Sequence, residues 1–158
     1  MKLSKYLSLE EATKSPTAIR LGIDNMPNAQ QMEAMEYVAV EIFDPVREFA
    51  GGPTHASSFF RSAKLNAAIG GSSSTSQHMK GEAIDIDADT YGHSDNNSIF
   101  DFIAENLIFD QLIGEYPDVK GKFSWVHVSK TKTKNRGQKL VKLKDKYIPF
   151  SEWKVGMI

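Results

Sequence analysis

The sequence contains no cysteine. Disulfide frameworks, thiolate zinc fingers and cysteine nucleophiles are therefore excluded, and any metal ion must be held by His, Asp or Glu. Charge of one sign is also lacking. Nineteen Lys and Arg stand against twenty Asp and Glu, a formal net charge of -1, so no global field argues for a nucleic-acid or membrane partner. Long apolar runs are missing as well. No window approaches the roughly 18 apolar residues of a membrane span. Met1 to Tyr6 leads into a polar stretch instead of the apolar core of a secretory leader, so the expectation is a chain with no signal peptide. There is no internal repeat. What is present, 41% hydrophobic and 25% charged residues over 158, fits one soluble domain large enough to bury its own core, spanning 1–158.

Ser8-Leu9-Glu10-Glu11 has the form of a capping box and predicts a short helix that ends before Pro16. Asn28-Ala29-Gln30-Gln31 repeats that logic. Met32, Met35, Val38, Ala39, Ile42, Val46 and Phe49 then recur at helical spacing and predict the main core helix, kinked or ended by Pro45. After the break at Gly51-Gly52-Pro53, Ala56 to Arg61 reads as a strand carrying Phe59 and Phe60. Ala63 to Ile69 reads as a short helix, and Ser72 to Gln77 as a polar loop at the rim of a site. Ala83-Ile84-Asp85-Ile86-Asp87 alternates with period two, isoleucines on one face and carboxylates on the other. Asp95 to Leu107 has helical periodicity, capped by Ser94 or Asp95. Phe109 to Glu115, Ser124 to Lys130 and, in broken form, Lys139 to Phe150 are strand candidates. Helices first and strands late predict an α+β fold, an antiparallel sheet flanked by helices. Residues 1–27 are expected to form a helical lead-in, 49–130 the core and 131–158 a basic C-terminal segment.

Four histidines are present. His55 and His93, each beside loop residues, read as ordinary surface or hydrogen-bonded positions. His78 has better context, because Gly81 can turn the backbone so that it converges with Asp85, seven positions on. In Trp125-Val126-His127-Val128-Ser129 the alternation sends both valines to the core and the other three side chains to the opposite face. Two imidazoles and one carboxylate would leave zinc an open fourth position, the pattern of catalytic sites.

Ser76-x-His78-x-x-Gly81-x-Ala83-x-Asp85 followed by Trp125-x-His127 resembles the signature of zinc D-alanyl-D-alanine carboxypeptidases and related peptidoglycan peptidases, within the lysostaphin, DD-peptidase and Hedgehog superfamily. Ser58-Phe59-Phe60-Arg61-Ser62, Leu65-Asn66-x-Ala68-x-Gly70-Gly71 and Phe109-Asp110-Gln111-Leu112-Ile113-x-Glu115 extend the likeness to the carboxypeptidase-like branch found in phage endolysins, over roughly Phe49 to Lys130. The resemblance implies a Hedgehog/DD-peptidase-like fold and one Zn2+ per chain on His78, Asp85 and His127. It also implies Glu115 as catalytic acid/base, Arg61 as a substrate-orienting or transition-state-stabilising cation, and Ser76 and Trp125 as substrate contacts. The implied substrate is the peptidoglycan stem peptide, cut at D-Ala-D-Ala or L-Ala-D-Glu. The implied setting is the host cytoplasm with holin-type release, or the virion. Many relatives carry a bulky aromatic where this chain has Gly114, so the expectation is a more open wall beside the base, with the long connection Tyr116 to Phe123 adding to the cleft.

From Lys120 to Lys146 there are ten Lys or Arg and one acid, Asp145. Such a run is usually a solvated face. The sharper reading is a dock for an anionic cell-wall polymer. Sparse aromatics argue against a specific nucleic acid, and a monomer is expected. The alternative to an enzyme is a non-catalytic wall-binding or structural module that retains the fold. Glu115 and Arg61 together favour the enzyme.

Overall fold

A computed structural model describes residues 1–158. Helix α1 (Leu9–Thr13) starts at Ser8, whose Oγ accepts from the Glu11 N–H at 3.1 Å. Only half of the anticipated box forms; Glu10, not Glu11, is engaged, accepting from the N-terminal ammonium at 3.2 Å. The helix ends before Pro16, as expected, and Pro16 itself opens a second one, α2 (Pro16–Leu21), capped by Ser15. At the first turn proline's missing N–H has no helical partner to lose.

Helix α3 (Ala29–Val38) carries the complete capping box, Asn28 and Gln31 exchanging bonds of 2.8 Å. Met35, Val38, Ala39, Ile42 and Val46 are wholly buried, as the stripe predicts. Pro45 does not end the run. A π turn at Ala39–Phe43 precedes it and α4 (Asp44–Ala50) continues, the widened turn making room for a residue that cannot donate and that crowds the carbonyl four positions back. The extra residue rotates the turns beyond it, and Phe49, expected in the core, emerges 47% exposed and stacks on Phe102 at 4.4 Å.

After strand β1 (His55–Ser58), shorter than expected, come α5 (Ala63–Ala68), β2 (Ala83–Asp87), α6 (Asn96–Asn106), β3 (Gln111–Glu115), β4 (Trp125–Ser129), β5 (Gln138–Lys142) and β6 (Tyr147–Pro149). Asp95, not Ser94, caps α6. The strands form one six-stranded sheet in the order β1-β2-β4-β3-β5-β6. Every pairing is antiparallel except that of β3 with β5, which is parallel. The fold is α+β, as expected, with that one departure from a purely antiparallel sheet. β5 reaches its place by passing from β4 to the far side of β3, so residues 131–158 are woven into the sheet, and Val141 and Leu143 join the core.

One face of the sheet is apolar. Ile84, Ile86, Leu112, Val126, Val128 and Val141 are fully buried in a single cluster with residues of α3, α4 and α6. Pleating sends their neighbours Asp85, Ile113, Glu115 and His127 to the other face, and cross-strand register aligns Asp85 with His127 and His127 with Ile113. The helices thus hold a platform whose free side carries the polar residues.

Gly114 belongs to the apolar side, paired with Val126 and Val141. A Cβ there would lie 2.5 Å from the Phe123 ring. The expectation of an opened wall beside Glu115 is therefore corrected: the missing side chain is on the opposite face, and Phe123 fills its place. Gly114→Val should overpack this contact and cost about 1–3 kcal/mol, read as a lowered urea midpoint at unchanged slope.

Candidate metal centre

The loop before β2 is more ordered than its serine content suggests. Ser76 caps a 3-10 turn, Gln77–Lys80, its Oγ accepting from the His78 N–H at 3.3 Å. Gly81 closes the turn at φ 73, and a Cβ there would lie 2.6 Å from the Gln31 carbonyl oxygen. Only glycine lets the turn sit so close on α3. Gln31 Nε2 donates to the Met79 carbonyl at 3.0 Å, and Gln77 Nε2 to Asp110 Oδ2 at 3.1 Å. Asp110 is itself gripped by Arg136 Nε and a terminal guanidinium N–H at 2.9 and 2.7 Å, which hold its carboxyl down to about 2. The role of Asp110, in the block that carries Glu115, is thus to brace the histidine turn.

His78 is buried, and its Nδ1 lies 2.6 Å from the Phe59 carbonyl oxygen. A carbonyl only accepts, so the ring proton sits on Nδ1 and Nε2 presents its lone pair. Burial also pushes the ring's pKa down, favouring the neutral form. Nε2 faces Asp85 Oδ1 at 3.3 Å, and His127 Nδ1 approaches the same oxygen at 3.0 Å. Burial acts to raise the Asp85 carboxyl, while the hydrogen bond with His127 Nδ1 acts to lower it, and the group lies below its ordinary range. The three donor atoms all lie within 4.8 Å of one another.

This donor set fits a divalent cation. With the His78 proton committed to Phe59, a nitrogen lone pair and a carboxylate oxygen point at each other across 3.3 Å, an arrangement that is repulsive until a cation sits between them. A tetrahedron with bonds of about 2.0 Å has edges of about 3.3 Å, close to the spacing found. The remaining Asp85 oxygen, Oδ2, takes a guanidinium N–H of Arg61 at 3.3 Å, while Arg61 Nε donates to Ser58 Oγ at 3.1 Å. Arg61 therefore orients the carboxylate from behind, as partners of metal-binding carboxylates commonly do.

Glu115 ends β3, paired with Trp125 and so one diagonal step from His127, within reach of a long side chain. It is 9% exposed, which a surface strand-end glutamate would not be, and no group in the chain hydrogen-bonds its carboxyl. Burial raises it to about 7, with Asp85 adding to the effect and His127, Lys142 and Arg61 opposing it. That value suits a group that must both take and give a proton near neutrality. In the metal-free protein the Glu115 carboxyl should titrate near pH 7 by carboxyl-selective NMR. Added zinc should pull the midpoint down, since a nearby cation favours the carboxylate.

Ser76 acts locally as a cap. Trp125 lies on the site face, its ring 5.3 Å from that of Tyr116. His55 packs edge-on to Tyr91 at 5.9 Å, and neither His55 nor His93 joins the cluster. One neighbour was not anticipated. Tyr147 of β6 lies close enough for its phenol to be raised, first by burial and then by Glu115, Tyr116 and Asp85. The only sequence signal for it was alternation in the broken stretch 139–150, which says nothing of a site three strands away.

A mixed sheet bearing Asp85 and His127, with His78 brought to them by the turn before β2 and a buried, unpaired carboxyl alongside, is suited to metal-assisted hydrolysis. The model of the family Peptidase M15 matches residues 5–129, and the chain belongs to that family. No curated protein matches the chain.

Proposed function

We propose that the protein is a zinc peptidase that hydrolyses amide bonds in peptidoglycan stem peptides, at D-Ala-D-Ala or at L-Ala-D-Glu, with His78, Asp85 and His127 as the metal ligands. The observation that carries this reading is the pairing of the donor set with Glu115, a carboxyl that burial holds near neutral pH and that nothing in the chain satisfies. Zinc, when bound, supplies a Lewis acid that polarises the scissile carbonyl and acidifies water.

The chain's own residues do the rest. Glu115 accepts a proton from the attacking water and holds it on a carboxyl oxygen. It then delivers that proton to the amide nitrogen as the C–N bond breaks, so that the water oxygen ends on the new carboxyl group and the amine leaves neutral. Arg61, fixed through Ser58 and Asp85, has further N–H groups to offer to the developing oxyanion or to a substrate carboxylate. Trp125 supplies an apolar wall beside the base. No covalent intermediate is needed, in keeping with the absence of a cysteine nucleophile.

An endolysin or virion-associated wall hydrolase is the biological role that best suits the sequence likeness to that branch. No helix is long and apolar enough to cross a membrane. Docking to an anionic wall polymer would use the exposed part of the Lys120–Lys146 segment. Lys130 is buried over the Tyr37 ring at 5.3 Å, and Arg136 is taken by Asp110, so fewer cations than the sequence count are free for it. Mass analysis of the peptides released from purified sacculi tests the reading and names the bond. Intact stem peptides after prolonged incubation with the zinc-loaded protein would refute it in favour of a binding module.

A further inference from the structure

The free face of the sheet is organised in cross-strand rows. One row holds Asp85, His127, Ile113 and Leu140; the next, two residues along, holds Trp125, Glu115, Lys142 and Tyr147 on β4, β3, β5 and β6. Residues in register on neighbouring strands share a face about 4.8 Å apart. Lys142 therefore stands directly beside Glu115, on the side away from the metal ligands' strands.

Lys142 is half buried and forms no ion pair with any carboxylate. Its Nζ rests over the Tyr147 ring, 4.4 Å from the centroid. A partly desolvated ammonium seated on an aromatic face, with its donors unclaimed, is prepared for an anion that the chain itself does not supply. The family match ends at residue 129, so this row is completed by strands outside the matched region.

Resting on the stem-peptide reading above, we propose that Lys142, held by Tyr147, receives the α-carboxylate of the residue whose amine leaves. Glu115 must hand its proton to that amine, which places the leaving nitrogen over Glu115, and the α-carbon and carboxylate come next. The neighbouring strand is where they fall. Both bonds named above release a residue with a free carboxylate on the carbon that bears the leaving nitrogen, the terminal D-Ala in one case and the γ-linked D-Glu in the other. The subsite therefore selects free acid over carboxamide at this position.

The test compares paired stem peptides that differ only in carboxylate or carboxamide on the leaving residue, for wild type, Lys142→Met and Lys142→Arg, all zinc-loaded. Kinetics are paired with calorimetric titration in a Glu115→Gln background, where peptide binds without being consumed. Wild type should favour the acid by roughly tenfold or more, mainly in KM and Kd, as for a charge-assisted contact. Lys142→Met should abolish that preference by weakening the acid alone, and Lys142→Arg should keep most of it. A preference that survives in Lys142→Met overturns the assignment of Lys142 while leaving the peptidase reading intact. Peptides that wild type neither binds nor cuts overturn both.

Discussion

Glu115→Ala should lose at least roughly 10²-fold in hydrolysis of isolated peptidoglycan while binding about one zinc per chain, the stoichiometry expected of wild type, since general acid–base groups contribute on that scale. Glu115 is not among the clustered donor atoms, so metal content and activity are expected to separate. The size of the loss reflects a site with no substitute. Asp85 is tied to two imidazoles and Arg61, and no other buried carboxyl adjoins the donor set. Glu115→Gln, which keeps the shape of the side chain, should be as inactive as alanine, whereas a purely packing role would let glutamine restore turnover. Zinc content by elemental analysis, measured beside turnover on the same preparation, decides the matter. Unchanged turnover would remove Glu115 from the mechanism.

His127→Ala should empty the metal position. Two donors remain, and losing a ligand costs more than the roughly 10–100-fold in affinity that accompanies loss of a supporting hydrogen bond. The variant should bind no stoichiometric zinc, show no thermal shift on zinc addition and have no activity. His55→Ala, outside the cluster, should behave as wild type in all three assays. Full metal occupancy in His127→Ala would show that a different side chain is the third ligand. A single chelation experiment on wild type frames both results, because the chelated protein should lose activity and regain it on zinc return.

Much of this site was legible in the amino-acid order because strands convert spacing into facing. Asp85 lies between two isoleucines and His127 between two valines, so period-two alternation alone put both on the face opposite the core, and the two strands proved to be in register. The His78 turn was less legible. Its placement depends on Gly81 closing against α3 at Gln31 and on Asp110, itself held by Arg136, bracing Gln77, contacts between positions up to 50 residues apart that no local pattern encodes. The first helix does end before Pro16, but the second helix that Pro16 opens was not anticipated, because proline both stops and starts helices; Ser15 as a cap was the cue to it. Pro45 was ambiguous for the same reason, and the π turn before it is a tertiary compromise that keeps Val46 in the core. The parallel pairing of β5 with β3 had no signature at all. Late strands suggested an antiparallel sheet, which holds for the consecutive pairs β3–β4 and β5–β6 but not for β3 with β5.

That parallel pairing also protects the chain. Without β5, the strand that ends in Glu115 would form the rim of the sheet, with a row of unsatisfied amides and carbonyls open to any passing polypeptide. With it, the rim is moved outward to β6, three residues long and containing Pro149, which offers little for a neighbour to zip onto. The final stretch of the polypeptide thus leaves the sheet a short, proline-bearing rim and at the same time walls one side of the candidate site.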